Sequence, residues 1–143
     1  MDFVAKTFDQ LSTAELYEII KSRQEIFLLE QNIVCQDLDD KDKVSLHCFA
    51  MNDGRVCAYL RAFKTAQDEV TIGRVLTLEH RKGIGTQLMN FAIEEIKNHF
   101  ECNKVTLHSQ KQAQMFYEKL GFKTISDEYL EEGVLHITMQ KSV

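Results

Sequence analysis

The apolar positions of this chain change period several times, and each change marks an element. Asp2 to Phe8 alternates weakly and predicts an edge strand. Ser12 and Glu15 have the spacing of a capping box. Leu16, Ile19, Ile20, Ile26 and Phe27 follow at helical intervals, which predicts a long helix, or two abutting ones, from about Thr13 to about Glu30. The next stretch, QNIVCQDLDDKD, is polar and acidic and reads as a loop. VSLHCFAM and RVCAYLRAF flank Asn52-Asp53-Gly54, a hairpin signal. EVTIGRVLTL predicts a longer strand, and its interior Gly73 marks a bulge or a close approach to the backbone. Ile84, Leu88, Ala92, Ile96 and Phe100 recur every four residues, so an amphipathic helix follows whose apolar stripe is core packing. KVTLH is a short strand, and Ala113, Phe116, Tyr117 and Leu120 mark a helix that Gly121 ends. FKTISDEYL and VLHITMQ predict a closing hairpin around Glu131-Glu132-Gly133. The order is strand, helix, three strands, helix, strand, helix, two strands, which predicts one α/β domain over residues 1–143 built on a mixed sheet.

One junction in this pattern carries chemistry. At HRKGIGTQLM a strand runs into Gly83 and Gly85, with Arg81 and Lys82 just before them and a helix starting at once. Bare amides, positive charge and a helix dipole at one point suit a phosphate, because a Cβ would hold the anion off the backbone. A dinucleotide fingerprint needs a third glycine where Leu88 stands. A P-loop needs its lysine after the glycines, whereas Lys82 precedes them. The remaining reading is a site for the pyrophosphate of coenzyme A.

Composition narrows the partners. Seventeen Lys and Arg against 22 Asp and Glu give a net charge of −5, which argues against a general binder of nucleic acid or anionic membranes. There is no apolar run of 18 residues and no basic-then-apolar leader pattern, so a cytoplasmic protein is expected. Cys35, Cys48, Cys57 and Cys102 are scattered without paired spacing, which predicts reduced thiols and no zinc site. The acidic run Asp37, Asp39, Asp40 and Asp42 lacks the glycine and closing glutamate of a calcium loop, so a solvated loop is expected there and no metal.

The motif His80-Arg81-Lys82-Gly83-Ile84-Gly85 resembles the first signature of the GNAT superfamily of acetyl-CoA-dependent N-acetyltransferases: Gln or Arg, two residues, Gly, one residue, then Gly or Ala. His80 takes the position where members usually carry Gln or Arg. QAQMFYEKLGF resembles the family's second signature, and EQNIVCQDLD, TIGRVLTL and EEGVLHITM together resemble its ElaA-like branch. The resemblance covers nearly the whole chain. It implies a mostly antiparallel central sheet flanked by helices, with two central strands that splay around the cofactor.

It also implies roles. The backbone of Val75, Leu76 and Thr77 would meet the pantetheine arm and polarise the thioester carbonyl. The stretch His80, Arg81, Lys82, Gly83, Ile84, Gly85 and Thr86 would hold the pyrophosphate, and Gln110 would hydrogen-bond the cofactor. Tyr117 would be the general acid for the departing thiolate. The general base stays open among Glu30, His108 and His136, each of which also has an ordinary structural reading. Arg74 could hold a substrate carboxylate or a neighbouring acid such as Asp37 or Asp39. The function implied is direct acetyl transfer, with no acyl-enzyme on Cys102, to a primary amine of a small molecule or peptide by a monomer or homodimer. A non-catalytic acyl-CoA-binding sensor or partner subunit is the alternative.

Overall fold

The computed structural model describes residues 1–80 and 83–143. Ser12 starts the first helix as its spacing predicts. Its hydroxyl accepts the Glu15 amide at 3.1 Å, and the Glu15 carboxylate accepts the Ser12 amide at 2.8 Å. This reciprocal cap satisfies two amides that a helix start would otherwise leave unpaired. α1 spans Thr13–Arg23 and then widens rather than ends. Gln24–Glu30 continue as a π-helix, and the Gln31 amide donates to the Ile26 carbonyl five residues back at 2.9 Å. Of the two expectations, one long helix or two abutting ones, the structure has the second: an α-helix joined directly to a π-helix. Segments of this wider kind gather at functional sites.

The strands are β1 (Asp2–Thr7), β2 (Leu46–Asn52), β3 (Arg55–Ala66), β4 (Glu69–Thr77), β5 (Lys104–Gln110), β6 (Lys123–Thr124), β7 (Tyr129–Glu131) and β8 (Val134–Ser142). They form one sheet in the order β1-β2-β3-β4-β5-β8-β6, with β7 also paired to β8. β4 and β5 run parallel and all other neighbours antiparallel. Both predicted hairpins close through two residues of positive φ: Asp53 at 52° with Gly54 at 76°, and Glu132 at 50° with Gly133 at 76°. Those mirror-image turns match the right-handed twist of the strands they join. FKTISDEYL is not one strand, as expected, but two. The Ser126 hydroxyl accepts the Thr138 amide at 2.9 Å and steps into the ladder between β6 and β7.

α2 (Ile84–His99) and α3 (Gln114–Lys119) pack on one face of the sheet. Leu88, Met89, Ala92 and Ile96 of α2 meet Ala58, Leu60, Val70 and Leu107 there, in the larger core. The other face carries a smaller cluster in which Ile19 and Ile26 cover Phe49, Tyr59 and Leu76. Alternation along β2 and β3 feeds both cores: Tyr59 points to the small one and its neighbours Ala58 and Leu60 to the large one. α1 packs mainly on β3 and β4. The β4–β5–β8 side of that face is left as the floor of a cleft.

Candidate active site

β4 and β5 pair from Glu69↔Lys104 to Ile72↔Leu107 and then part. Beyond that point β5 continues against β8 alone, and β4 continues against β3 alone. Among the described residues, the backbone of Gly73 to Thr77 therefore has no strand on its β5 side. The cause is a bulge: on β3 the register jumps from Arg61↔Gly73 to Tyr59↔Leu76. The bulge does not use the freedom of Gly73. Arg74 takes the left-handed backbone instead, with φ 55°. A Cβ on Gly73 would meet nothing nearer than the Arg61 Nε at 3.9 Å.

Arg74 is held in that conformation by its side chain. Its Nε donates to the Asp37 carboxylate at 2.9 Å, its guanidinium to the Asp37 carbonyl at 3.0 Å, and Asp39 lies 3.5 Å away. Behind it, Arg23 donates to Asp42 at 2.7 Å and Asp37 at 2.9 Å, and Arg61 donates to Asp39 at 2.6 Å and Asp42 at 3.0 Å. The run expected to be a solvated acidic loop is thus largely a charge-balanced wall. Three arginines face three aspartates, and only Asp40 stands fully in solvent. Burial opposes the charge on Arg23, but Asp42 and Asp37 outweigh it and hold the guanidinium charged. The hydrogen bond from Arg61 holds the Asp39 carboxyl down at about 2. His47 braces the base of the wall. It bonds the Tyr59 hydroxyl at 2.7 Å and the Asp42 carbonyl at 2.8 Å, and burial keeps it neutral by lowering its pKa.

The cleft between the parting strands has a volume of about 500 Å3. Val75 lines it, as do Arg74, Gln110, His108 and His136. Leu76 is buried in the small core, so only its backbone is free for a ligand. Tyr117, on α3, is 7% exposed and also lines the cleft. Burial pushes its phenol well above the usual range, so it stays protonated. No group among the described residues takes its hydroxyl.

At the mouth, Gly83 caps α2 with φ 74°, and Ile84 anchors the first turn in the large core. A Cβ on Gly85 would come within 3.3 Å of the Phe116 ring, tight enough to force the ring to move. Thr86 is exposed, Thr77 lies beside Gly85, and the first turn of α2 holds no acid. Arg81 and Lys82 lie outside the described residues. His80 is exposed and bonds Glu30 at 2.9 Å, so Glu30 sits at the loop and not in the cleft. Gln110 bonds Gln31 at 2.9 Å across the mouth. The π-helix delivers both Glu30 and Gln31 to these contacts.

The opposite wall holds both remaining candidates. The His108 Nδ1 is 2.8 Å from the Tyr129 hydroxyl and 3.3 Å from the Thr138 hydroxyl. His136 is buried and stacked on Tyr129, its Nδ1 donates to the Val134 carbonyl at 2.8 Å, and its Nε2 lies 3.4 Å from Glu131. Sequence reasoning missed Tyr129 and Thr138, which strand register brings in, and Gln31, which the π-turn brings in. It gave Arg23 no place in the wall and read Asp42 as part of a solvated run, where ion pairs distant in sequence place both. The cysteines are free, as expected.

Known proteins resemble this chain over most of its length. A profile described as an acetyltransferase (GNAT) domain matches residues 29–143. A UPF0039 protein of Schizosaccharomyces pombe is 38% identical over 98% of this chain and 96% of its own. The ElaA protein of Escherichia coli is 34% identical over 94% of this chain and 92% of its own. The crystal structure of E. coli ElaA superposes with a TM-score of 0.92 over 99% of each chain. That of an acyl-CoA N-acyltransferase from Pseudomonas aeruginosa does so at 0.91, with 32% identity over 99% of each chain.

Proposed function

Because the chain belongs to the GNAT acetyltransferase family and has its fold, we propose that it moves an acetyl group from acetyl-CoA directly to a primary amine. The acceptor is a small molecule or the amine of a peptide. The observation that carries this reading is the parting of β4 and β5 over a cleft that Tyr117 lines. A chain laid into that gap can pair with the open backbone of Val75, Leu76 and Thr77, as an added strand would. An amide fixed there donates to the thioester oxygen, where negative charge grows in the transition state.

The loop from His80 to Thr86 holds the diphosphate in this reading. Three features fit a diphosphate there: a sixteen-residue helix starting at Ile84, no carboxylate in its first turn, and a glycine at 85 where a side chain would clash. Arg81 and Lys82 belong to the same stretch by sequence and supply charge. Gln110 turns from Gln31 to the cofactor. Arg74 belongs to the wall, since Asp37 and Asp39 already engage its guanidinium. Tyr117 protonates the departing thiolate, and its buried, protonated phenol suits that task. Cys102 is set aside as an acyl carrier: burial raises its thiol pKa, and it precedes the cleft-lining end of β5. No helix among the described residues is long and apolar enough to cross a membrane, and we assign the protein to the cytoplasm.

Calorimetry with acetyl-CoA, followed by thiol release across a panel of amines, tests the proposal. Binding with amine-dependent thiol release is expected, and Tyr117→Phe should lower kcat about 100-fold with little change in cofactor affinity. Tight binding without turnover by any amine would instead fit the sensor. Equal rates for Tyr117→Phe and the parent would remove the tyrosine from its role.

A further inference from the structure

The geometry points to His108 as the group that takes the proton from the acceptor amine, with Tyr129 and Thr138 positioning it by holding its Nδ1–H. This rests on the acetyl-transfer reading above. Three side chains stood as candidates, and their surroundings separate them. Glu30 is spent on His80 at the loop and lies outside the cleft. His136 is buried, with its Nδ1 bonded to the Val134 carbonyl and its Nε2 3.4 Å from the negative Glu131 carboxylate. His108 has two oxygens at its Nδ1, while its Nε2 has no partner among the described residues, and the ring lines the cleft.

Either ring tautomer can bond these hydroxyls, and the base role takes the one with the proton on Nδ1. A lone pair on Nδ1 accepts from one hydroxyl only. A proton there is shared between Tyr129 at 2.8 Å and Thr138 at 3.3 Å, and the Tyr129 hydroxyl then donates onward to Thr138 at 3.0 Å. With the proton on Nδ1, the Nε2 lone pair is left facing the cleft, the arrangement a base needs. Tyr129 is itself fixed from two sides: its ring stacks on His136 at 6.1 Å and meets His108 edge-on at 6.4 Å. The register explains how one phenol reaches both, since β8 sets His136 opposite Tyr129 and Thr138 opposite His108.

The charged groups lining the cleft are Glu131 and Glu132 at the β7–β8 turn, with His136 beside them, and Asp39, Lys41, Arg61 and Arg74 on the other wall. Arg74 is neutralised by Asp37 and Asp39, so the cleft beside His108 has an acidic rim. That rim favours an acceptor arriving as an ammonium. His108 takes one ammonium proton and passes it to bulk water. The neutral nitrogen then forms its bond to the acetyl carbon, and the carbon–sulfur bond breaks. Sulfur takes the Tyr117 proton. The nitrogen's surplus proton leaves through water and restores the phenol, so one free proton is released per amide formed.

Two measurements on the full chain test this. In the first, thiol release from acetyl-CoA is followed with butylamine, 1,4-diaminobutane and a tripeptide as ammonium probes, and with semicarbazide as a nucleophile already neutral at pH 7. His108→Gln should lower kcat/KM for the ammonium probes about 100-fold at pH 7 and for semicarbazide by less than about 10-fold, with acetyl-CoA affinity unchanged. The loss should shrink as pH rises and the amines deprotonate unaided. Parent-like rates, or equal losses on both kinds of nucleophile, would overturn the assignment while leaving acetyl transfer in place. No turnover by the parent with any probe would bring down the acetyl-transfer reading, and this one with it.

The second measurement needs no acceptor. Nitrogen-15 spectra of the histidine rings, assigned through His108→Gln, should show the proton of neutral His108 on Nδ1. Tyr129→Phe should shift it toward Nε2 without unfolding the protein. A proton on Nε2 in the parent would refute the positioning role.

Discussion

The two walls of the cleft use similar residues to opposite ends. On one wall, Arg23, Arg61 and Arg74 are matched against Asp37, Asp39 and Asp42, and the pairs reach deep into the molecule: Arg23 is 1% and Arg61 3% exposed. On the other, His108, Tyr129, Thr138, His136 and Glu131 also form a linked set, but His108 and Glu131 are exposed and the His108 Nε2 has no partner among the described residues. A buried ion must be matched or its desolvation cost is uncompensated, so the first wall has no freedom to do chemistry. A polar group in contact with water carries no such constraint. The first wall shapes the cleft and keeps Arg74 in its strained backbone. The second has a group free to exchange protons.

The sharpest way to break this contrast is Asp42→Ala. It strips the shared partner from both Arg23 and Arg61, and leaves three arginines to share Asp37 and Asp39 with one positive charge unmatched. Removing one member of a buried pair costs about 3–5 kcal/mol, which predicts a drop in Tm on the order of 10 °C. Tyr129→Phe, by contrast, should move Tm by no more than a few degrees. Comparable losses in a thermal scan would mean that both walls are structural.

Acid should act on the first wall in a defined window. The folded pKa of Asp39 is held at about 2 by Arg61, below the ordinary value of about 3.9 in the unfolded chain. A depressed folded pKa gives stability that is complete above the unfolded value and lost as pH falls through the folded one. Asp39→Asn should therefore be less stable than the parent by about 1–2 kcal/mol at pH 6, once partial exposure is allowed for, with the gap closing between pH 4 and pH 2. Denaturant midpoints at those pH values measure it. A gap that persists at pH 2 would assign the loss to packing rather than charge.

The sequence made one side of this contrast more legible than the other. Local signals were readable: the capping box at Ser12, the turns at Asp53-Gly54 and Glu132-Gly133, the stripe of α2 and the glycine loop before it. Each depends on residues within a few positions of one another. The first wall depends on pairs 14 to 37 residues apart, so an acidic run that looked solvated is instead matched by distant arginines. Gly73 marked the right place for a bulge, but the positive φ fell on Arg74, because Asp37 holds that side chain in place. His108 was visible as a candidate, whereas Tyr129 was not. They meet across β8, in a register that the Glu132-Gly133 turn sets for β7 and the β5–β8 ladder sets for His108. The π-turn that delivers Glu30 and Gln31 has no pattern that distinguishes it from an ordinary helix end.

The smallest predicted effect concerns the rim, where neither wall's logic should hold. Glu30 and His80 are roughly half exposed, with side-chain exposures of 48% and 59%, and bond at 2.9 Å. An exposed pair of this kind is worth at most about 1 kcal/mol and is screened by salt. Glu30→Gln keeps an oxygen for the His80 ring and removes only the charge, so Tm should change by less than about 2 °C. The charge also lies beside the stretch assigned to the diphosphate, where it opposes an arriving anion. Its removal should tighten acetyl-CoA binding about two- to threefold at low salt, and the gain should vanish near 0.5 M salt, where the screening length falls to about 4 Å. Calorimetry at two salt concentrations reads this directly. Weaker binding by the variant at low salt would mean that Glu30 orders the loop for its ligand and belongs with the first wall after all.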